Sequence, residues 1–216
     1  MAHLLHIDSS PLATGSTSKA LGQIFRRVWA EEQPQDTVAY RDLGLNPVPY
    51  LEEAGIHSQF IPEHARTPEQ SAARALRDEL AAELVAADTV LLGAPIYNWT
   101  VPAQLKTWID QVTVAGSVLA FGDAPKPLAD RPVTILLAYG GDFRPGSEDE
   151  KYDYLGPYLR TLFEHTLGMK ATIISAHLTI AGKAPGLDHL VDVAAESLKQ
   201  AEQEVEEQAR KLATQF

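Results

Sequence analysis

The residues with the clearest chemistry are hydroxyls in one short run, Ser9-Ser10-Pro11-Leu12-Ala13-Thr14-Gly15-Ser16-Thr17-Ser18. Ser10, Ser16, Thr17 and Ser18 bring side-chain oxygens and backbone amides to the start of a helix predicted by the spacing of Leu21, Ile24, Phe25 and Val28. A helix start favours an anion. The run holds no G-x-G-x-x-G and no G-K-[ST], so it supports neither a dinucleotide fingerprint nor a nucleoside-triphosphate loop. It suits a phosphate monoester held by neutral donors; equally, Ser and Thr cap helices and fill turns, and this loop alone supports both readings. A second segment, Gly93 to Thr100, delivers Pro95, Ile96, Tyr97, Asn98 and Trp99 together, an apolar and aromatic wall with amides that could meet the edge of a flat conjugated ring. A third, Ala138-Tyr139-Gly140-Gly141, ends in two glycines that permit close backbone approach or positive φ.

Each segment is ordinary by itself; their significance depends on the elements that carry them. Residues 3 to 7 read as a buried strand leading into the hydroxyl run, and the predicted helix follows with Ser16 or Thr17 as its cap. Thr37 to Leu43 reads as a more polar edge strand. Residues 44 to 66, with Pro47, Pro49 and Pro62, show no sustained periodicity and read as a long functional or interface-forming loop. Thr67-Pro68-Glu69-Gln70 is a capping box opening a helix that runs to about Val85. Asp88 to Pro95 is a continuous apolar run, the mark of a parallel strand buried on both faces. A helix follows from Val101-Pro102, then a strand from Pro132 to Tyr139, a helix carrying Tyr154, Tyr158, Leu159 and Leu162, a strand from Ala171 to Leu178, and a last helix from about Asp188. This alternation predicts one α/β domain over residues 1–216, a doubly wound five-stranded parallel sheet with helices on both faces. In such sheets ligands bind beyond the carboxyl ends of the strands. The three unusual segments follow the first, third and fourth strands.

Composition narrows the partners. With 18 Lys and Arg against 29 Asp and Glu, the net charge of −11 disfavours nucleic acid and anionic membranes, so an anionic ligand must rely on local neutral donors. There is no cysteine, which removes disulfides and thiolate metal sites and is compatible with a cytoplasmic address. The first residues lack a secretory signal pattern, and no apolar stretch is long enough to span a bilayer. His3 and His6 fall on opposite faces of a strand, and the seven histidines form no cluster, so no metal site is expected.

Ser10, Ser16-Thr17-Ser18, Ala94-Pro95-Ile96-Tyr97-Asn98-Trp99, Gln104-Leu105-Lys106 and Gly140-Gly141 resemble the motifs of the FMN-dependent NADH azoreductases. These are homodimeric enzymes of flavodoxin-like fold that also reduce quinones. The likeness extends to Arg41-Asp42-Leu43, Asn46-Pro47, Pro157-Tyr158-Leu159 and Gly168, nearly the whole chain. It implies that Ser10 and Ser16 to Ser18 hold the FMN phosphate, that Pro95 to Trp99 line the flavin, and that Ala138 to Gly141 contact its pyrimidine side. Trp99, Phe121 and His165 would surround the substrate. Ala138 departs from a family that often has a polar side chain there, which leaves only a backbone contact, and an extra residue precedes His165. The implied chemistry is hydride transfer from NADH or NADPH through FMN to a quinone or azo compound, by a ping-pong mechanism and with no side-chain catalyst. A proton for the acceptor would come from water or from Tyr97, Tyr139 or His165. The competing readings are a flavodoxin-type carrier exchanging single electrons with protein partners, and a flavin-free NAD(P)-sensing protein on the same fold.

Overall fold

The computed structural model describes residues 1–120, 122 and 124–216. Five parallel strands, β1 (His3–Asp8), β2 (Thr37–Asp42), β3 (Thr89–Pro95), β4 (Pro132–Ala138) and β5 (Lys170–Ala176), lie in the order β2-β1-β3-β4-β5. The order reverses between β1 and β3, which pair directly from Leu4 opposite Thr89 to Asp8 opposite Gly93. Both strands are almost wholly buried; β3 is accordingly a nearly continuous apolar run, while β1 carries the buried His6 and Asp8 among its apolar residues. The edge strand β2 is largely exposed or half-buried, matching its polar alternation.

Alternate side chains feed two cores. Leu5, Ile7, Leu92, Ala94, Ile135 and Leu137 pack with α3 (Pro68–Ala86) and α4 (Ala103–Val112). On the other face Leu4, Leu91, Leu136 and Ile174 meet α1 (Thr17–Glu32) and α6 (Val191–Ala213). The capping box at Thr67 and Gln70 forms as the residue types require: Gln70 N–H donates to Thr67 Oγ1 at 3.2 Å, and Thr67 N–H donates to Gln70 Oε1 at 3.0 Å.

The segment 44–66 is less irregular than its sequence suggests. It carries the short helix α2 (Glu53–His57) and a 3₁₀ turn at Glu63–Ala65, both too short to show a periodicity. Arg77 of α3 is buried and pins it, donating to the carbonyls of Gly55 at 2.8 Å and Gln111 at 3.2 Å. The helix expected around Tyr154 starts later, at Gly156. α5 (Gly156–Arg160) runs directly into a π-helical turn, Thr161–Thr166, and leaves Tyr154 exposed ahead of it. The last strand stops at Ala176, short of the expected Leu178, because Leu178 turns to φ 61 and its N–H donates to the carbonyl of Gly141. No helix among the described residues is long and apolar enough to cross a membrane.

Candidate active site

The loops after β1, β3, β4 and β5 enclose a cleft of about 560 Å³ at the carboxyl edge of the sheet, where the strand order reverses. At one end lies the hydroxyl run. Ser16 caps α1, its Oγ accepting from Lys19 N–H at 3.4 Å. The N–H groups of Thr17 and Ser18, first in the helix, donate to no atom of the described residues. Ser10, Gly15, Ser16 and Thr17 line the cleft. The first turn holds no acidic residue, and the nearby Lys19 is largely buried and ion-paired with Asp42 at 2.8 Å. The site therefore offers an anion hydroxyls and helix-start amides. Ser18 does not line the cleft: it is buried, as Ser10 and Ser16 are, and its Oγ lies 3.3 Å from Ser16 Oγ.

Pro95, Ile96, Tyr97, Asn98 and Trp99 form the facing wall. Tyr97 and Thr100 exchange backbone hydrogen bonds at 3.0 and 3.2 Å, closing a two-residue turn whose central residues, Asn98 at φ 46 and Trp99 at φ 74, both lie in the left-handed region. That is a type I′ turn with tryptophan where glycine is usual. The strained position throws the Trp99 ring over the mouth of the cleft. It packs there against Tyr152 at 5.5 Å and edge-on to Phe143 at 6.0 Å, and the residue stays 50% exposed.

Ala138, Gly140 and Gly141 supply the third side. Neither glycine has a positive φ; a side chain on Gly141 would press on Phe143 at 3.3 Å, whereas one on Gly140 would meet Ile180 at an ordinary 3.5 Å. Their N–H groups donate to no atom of the described residues and remain available to a ligand. Tyr139, between them and Ala138, points inward. It is buried, stacks on His177 at 4.7 Å and donates its hydroxyl to Asp153 at 2.9 Å. Burial, and then the Asp153 charge, push that phenol well above the ordinary tyrosine range, so it is not a proton source for the cleft. His177 braces the loop from below: its Nδ1 accepts from the Phe143 N–H at 3.2 Å, and burial holds the imidazole below its usual range.

His165 does not line this cleft. The π-helical turn leaves it exposed, with its carbonyl accepting from Lys126. Phe121 lies outside the described residues. Conversely, the cleft has a side absent from the sequence reading: Thr179, Ile180 and Lys183 after β5, with Phe143 and Asp149. Only the placement of β5 beside β4 brings that loop to the same edge, and none of its residues is unusual by type. The cleft's side chains thus supply hydroxyls, aromatic faces and free amides, which hold and orient a ligand.

A parallel sheet with a hydroxyl-rich helix start and an aromatic wall at its carboxyl edge defines an α/β protein with a ligand cleft at its topological switch point. The comparisons agree. A family profile described as flavodoxin-like fold matches residues 2–215, and the chain belongs to that family. It is 39% identical to an FMN-dependent NADH:quinone oxidoreductase of Streptomyces avermitilis, over 100% of this chain and 99% of that one. An enzyme of the same name from Streptomyces coelicolor is 38% identical, over 98% of this chain and 96% of that one. Among solved structures, an azoreductase from Bacillus anthracis str. Sterne superposes with a TM-score of 0.82 at 25% identity, covering 98% of this chain and 100% of that one.

Proposed function

We propose that this chain is an FMN-dependent oxidoreductase that takes electrons from NADH and passes them to quinones and azo compounds. One observation carries the reading: a single continuous cleft joins free helix-start amides and hydroxyls to an aromatic wall and a pair of free glycine amides. Those are the partners a ring bearing a phosphate monoester requires. Its full-length relatives are named FMN-dependent NADH:quinone oxidoreductases, which favours the enzyme over the electron carrier.

Ser10, Ser16 and Thr17, with the N–H groups of Thr17 and Ser18, would hold the phosphate. Pro95 to Trp99 would face the ring, and the Gly140 and Gly141 amides would donate to its polar edge, where negative charge on the reduced ring is stabilised by fixed dipoles. FMN, when bound, would supply the two-electron redox chemistry between nicotinamide and acceptor. The chain contributes placement and a dry floor. NADH as the donor rests on the names of the relatives; Arg144, beside the cleft loop, is paired with Asp142 at 2.8 and 2.6 Å. The half-exposed Trp99 and Tyr97 leave one flat approach to the ring, shared by donor and acceptor in turn.

The same openness supports a homodimer in which a second copy completes the mouth. Tyr50 is 76% exposed and Phe60 is 80% exposed on the 44–66 segment, beside the half-exposed Leu45 and Ile56. Residues 1–216 would act as one domain, and the absence of cysteine suits the reducing cytoplasm. Initial rates with NADH and a benzoquinone test the shared approach. Double-reciprocal lines at several fixed quinone concentrations are expected to be parallel; lines that intersect would contradict it.

A further inference from the structure

Behind the hydroxyl run lies a buried polar cluster that neither the fold nor the proposed chemistry requires. Strand parity puts Leu4, His6 and Asp8 of β1 on the face beneath α1, so this face turns from apolar to polar as it nears the cleft. His6 is 1% exposed and Asp8 is 2% exposed. His6 Nε2 lies 3.5 Å from Asp8 Oδ1. Among the described residues, neither imidazole nitrogen and not Asp8 Oδ1 has a hydrogen-bond partner. Two glycines make the room. A Cβ on Gly22, in the middle of α1, would stand 2.7 Å from His6 Nε2, and one on Gly93, opposite Asp8 in β3, would collide with Asp8 Oδ1. Glycine is a poor residue for a helix interior, so its use at position 22 follows from the imidazole below it.

The other charged and titratable neighbours are already matched. Tyr40, opposite His6 on β2, donates its hydroxyl to Asp8 Oδ2 at 2.9 Å, and burial together with the Asp8 charge pushes its phenol up, so it stays a neutral donor. Lys19 is engaged by Asp42 at 2.8 Å. Arg26 stands over the outer side of the Tyr40 ring. Of the described groups, His6 is the one positioned to balance Asp8. The balance matters because Asp8 is two residues from Ser10, and a bare carboxylate there would repel a phosphate through a poorly screened interior.

We infer that His6 and Asp8, 3.5 Å apart, stand as a net-neutral buried ion pair behind the phosphate loop, which makes His6 a positioning residue for the phosphate. The inference rests on the FMN reading above. Its test compares FMN with riboflavin, which has the same ring and no phosphate. The apoprotein is titrated with each by flavin fluorescence quenching at pH 8, where the phosphate is a dianion. His6→Gln keeps a side chain of similar reach but leaves Asp8 unbalanced. It is expected to weaken FMN by about tenfold or more, with riboflavin unchanged. Adding Asp8→Asn to that variant should restore FMN binding, while Asp8→Asn alone should leave the ratio of the two affinities within about twofold of wild type.

Equal effects of His6→Gln on both ligands, or none on either, would overturn the inference. So would an Asp8→Asn variant that binds FMN about tenfold more tightly relative to riboflavin, because Asp8 would then have been an unbalanced charge. That second variant decides the matter even where His6→Gln fails to fold. Wild-type apoprotein that binds neither flavin overturns the FMN reading itself, and this inference with it.

Discussion

Trp99 at φ 74 is held where a bulky side chain is costly, and the hydrogen bond from Tyr154 N–H to its carbonyl, at 3.1 Å, helps to keep it there. Glycine would fit that backbone without strain, so the usual order of substitutions should reverse. Trp99→Gly is expected to be more stable than Trp99→Ala by about 1 kcal/mol in urea unfolding, although both should raise KM for the acceptor by removing the ring at the mouth. His177 gives a prediction of opposite sign to a surface histidine. Its folded pKa is depressed by burial, partly offset by Asp142 and Asp153 and reinforced by Arg144, so the unfolded chain binds the extra proton first. Stability is then fully present above the ordinary histidine pKa of about 6.5 and falls as pH drops below it. Protonated Nδ1 could no longer accept from Phe143 N–H, and thermal unfolding between pH 7 and 5 should show a steeper loss for wild type than for His177→Gln. The hydroxyls of Ser10, Ser16 and Thr17 and the wall from Pro95 to Trp99 were legible as cleft lining only once residue type was set beside strand position. The inward turn of Tyr139 was not, because side-chain direction just past the end of β4 depends on packing against His177, distant in sequence.

Among the elements, β3 and β4 were readable because burial on both faces writes a largely apolar run, and the Thr67 capping box because its chemistry is local. What escaped is what depends on contacts distant in sequence. The β5 loop joins the cleft through sheet order, and Arg77 clamps α2 through carbonyls far along the chain. The turn after β2 is a further case. A Cβ on Gly44 would overlap the carbonyl of Ser10, so that turn sets the path of the phosphate loop from outside the cleft. Gly44→Ala is expected to push the loop out of place and weaken FMN binding by at least about tenfold while costing about 1–3 kcal/mol of stability. Flavin fluorescence titration beside urea unfolding checks both.

At the scale of the whole molecule, the exposed aromatics and the half-open cleft make one argument. A chain of 23.6 kDa with a net charge of −11 nevertheless exposes Tyr50 and Phe60 on one segment, and it carries Trp99, Tyr152 and Tyr154 at the cleft mouth. Light scattering after size exclusion should return twice the chain mass, and Phe60→Asp should shift it towards the monomer with a loss of turnover; a wild-type monomer with full activity would contradict the shared site. The proposed function requires the cleft to hold FMN and NADH to reduce it there. The direct measurement is an anaerobic titration of the FMN-reconstituted protein with NADH, followed by visible absorption. The expected result is bleaching in one step at one equivalent of NADH per bound flavin, with colour restored by one equivalent of benzoquinone. A protein that does not retain FMN, or whose bound FMN stays oxidised in excess NADH, would contradict it.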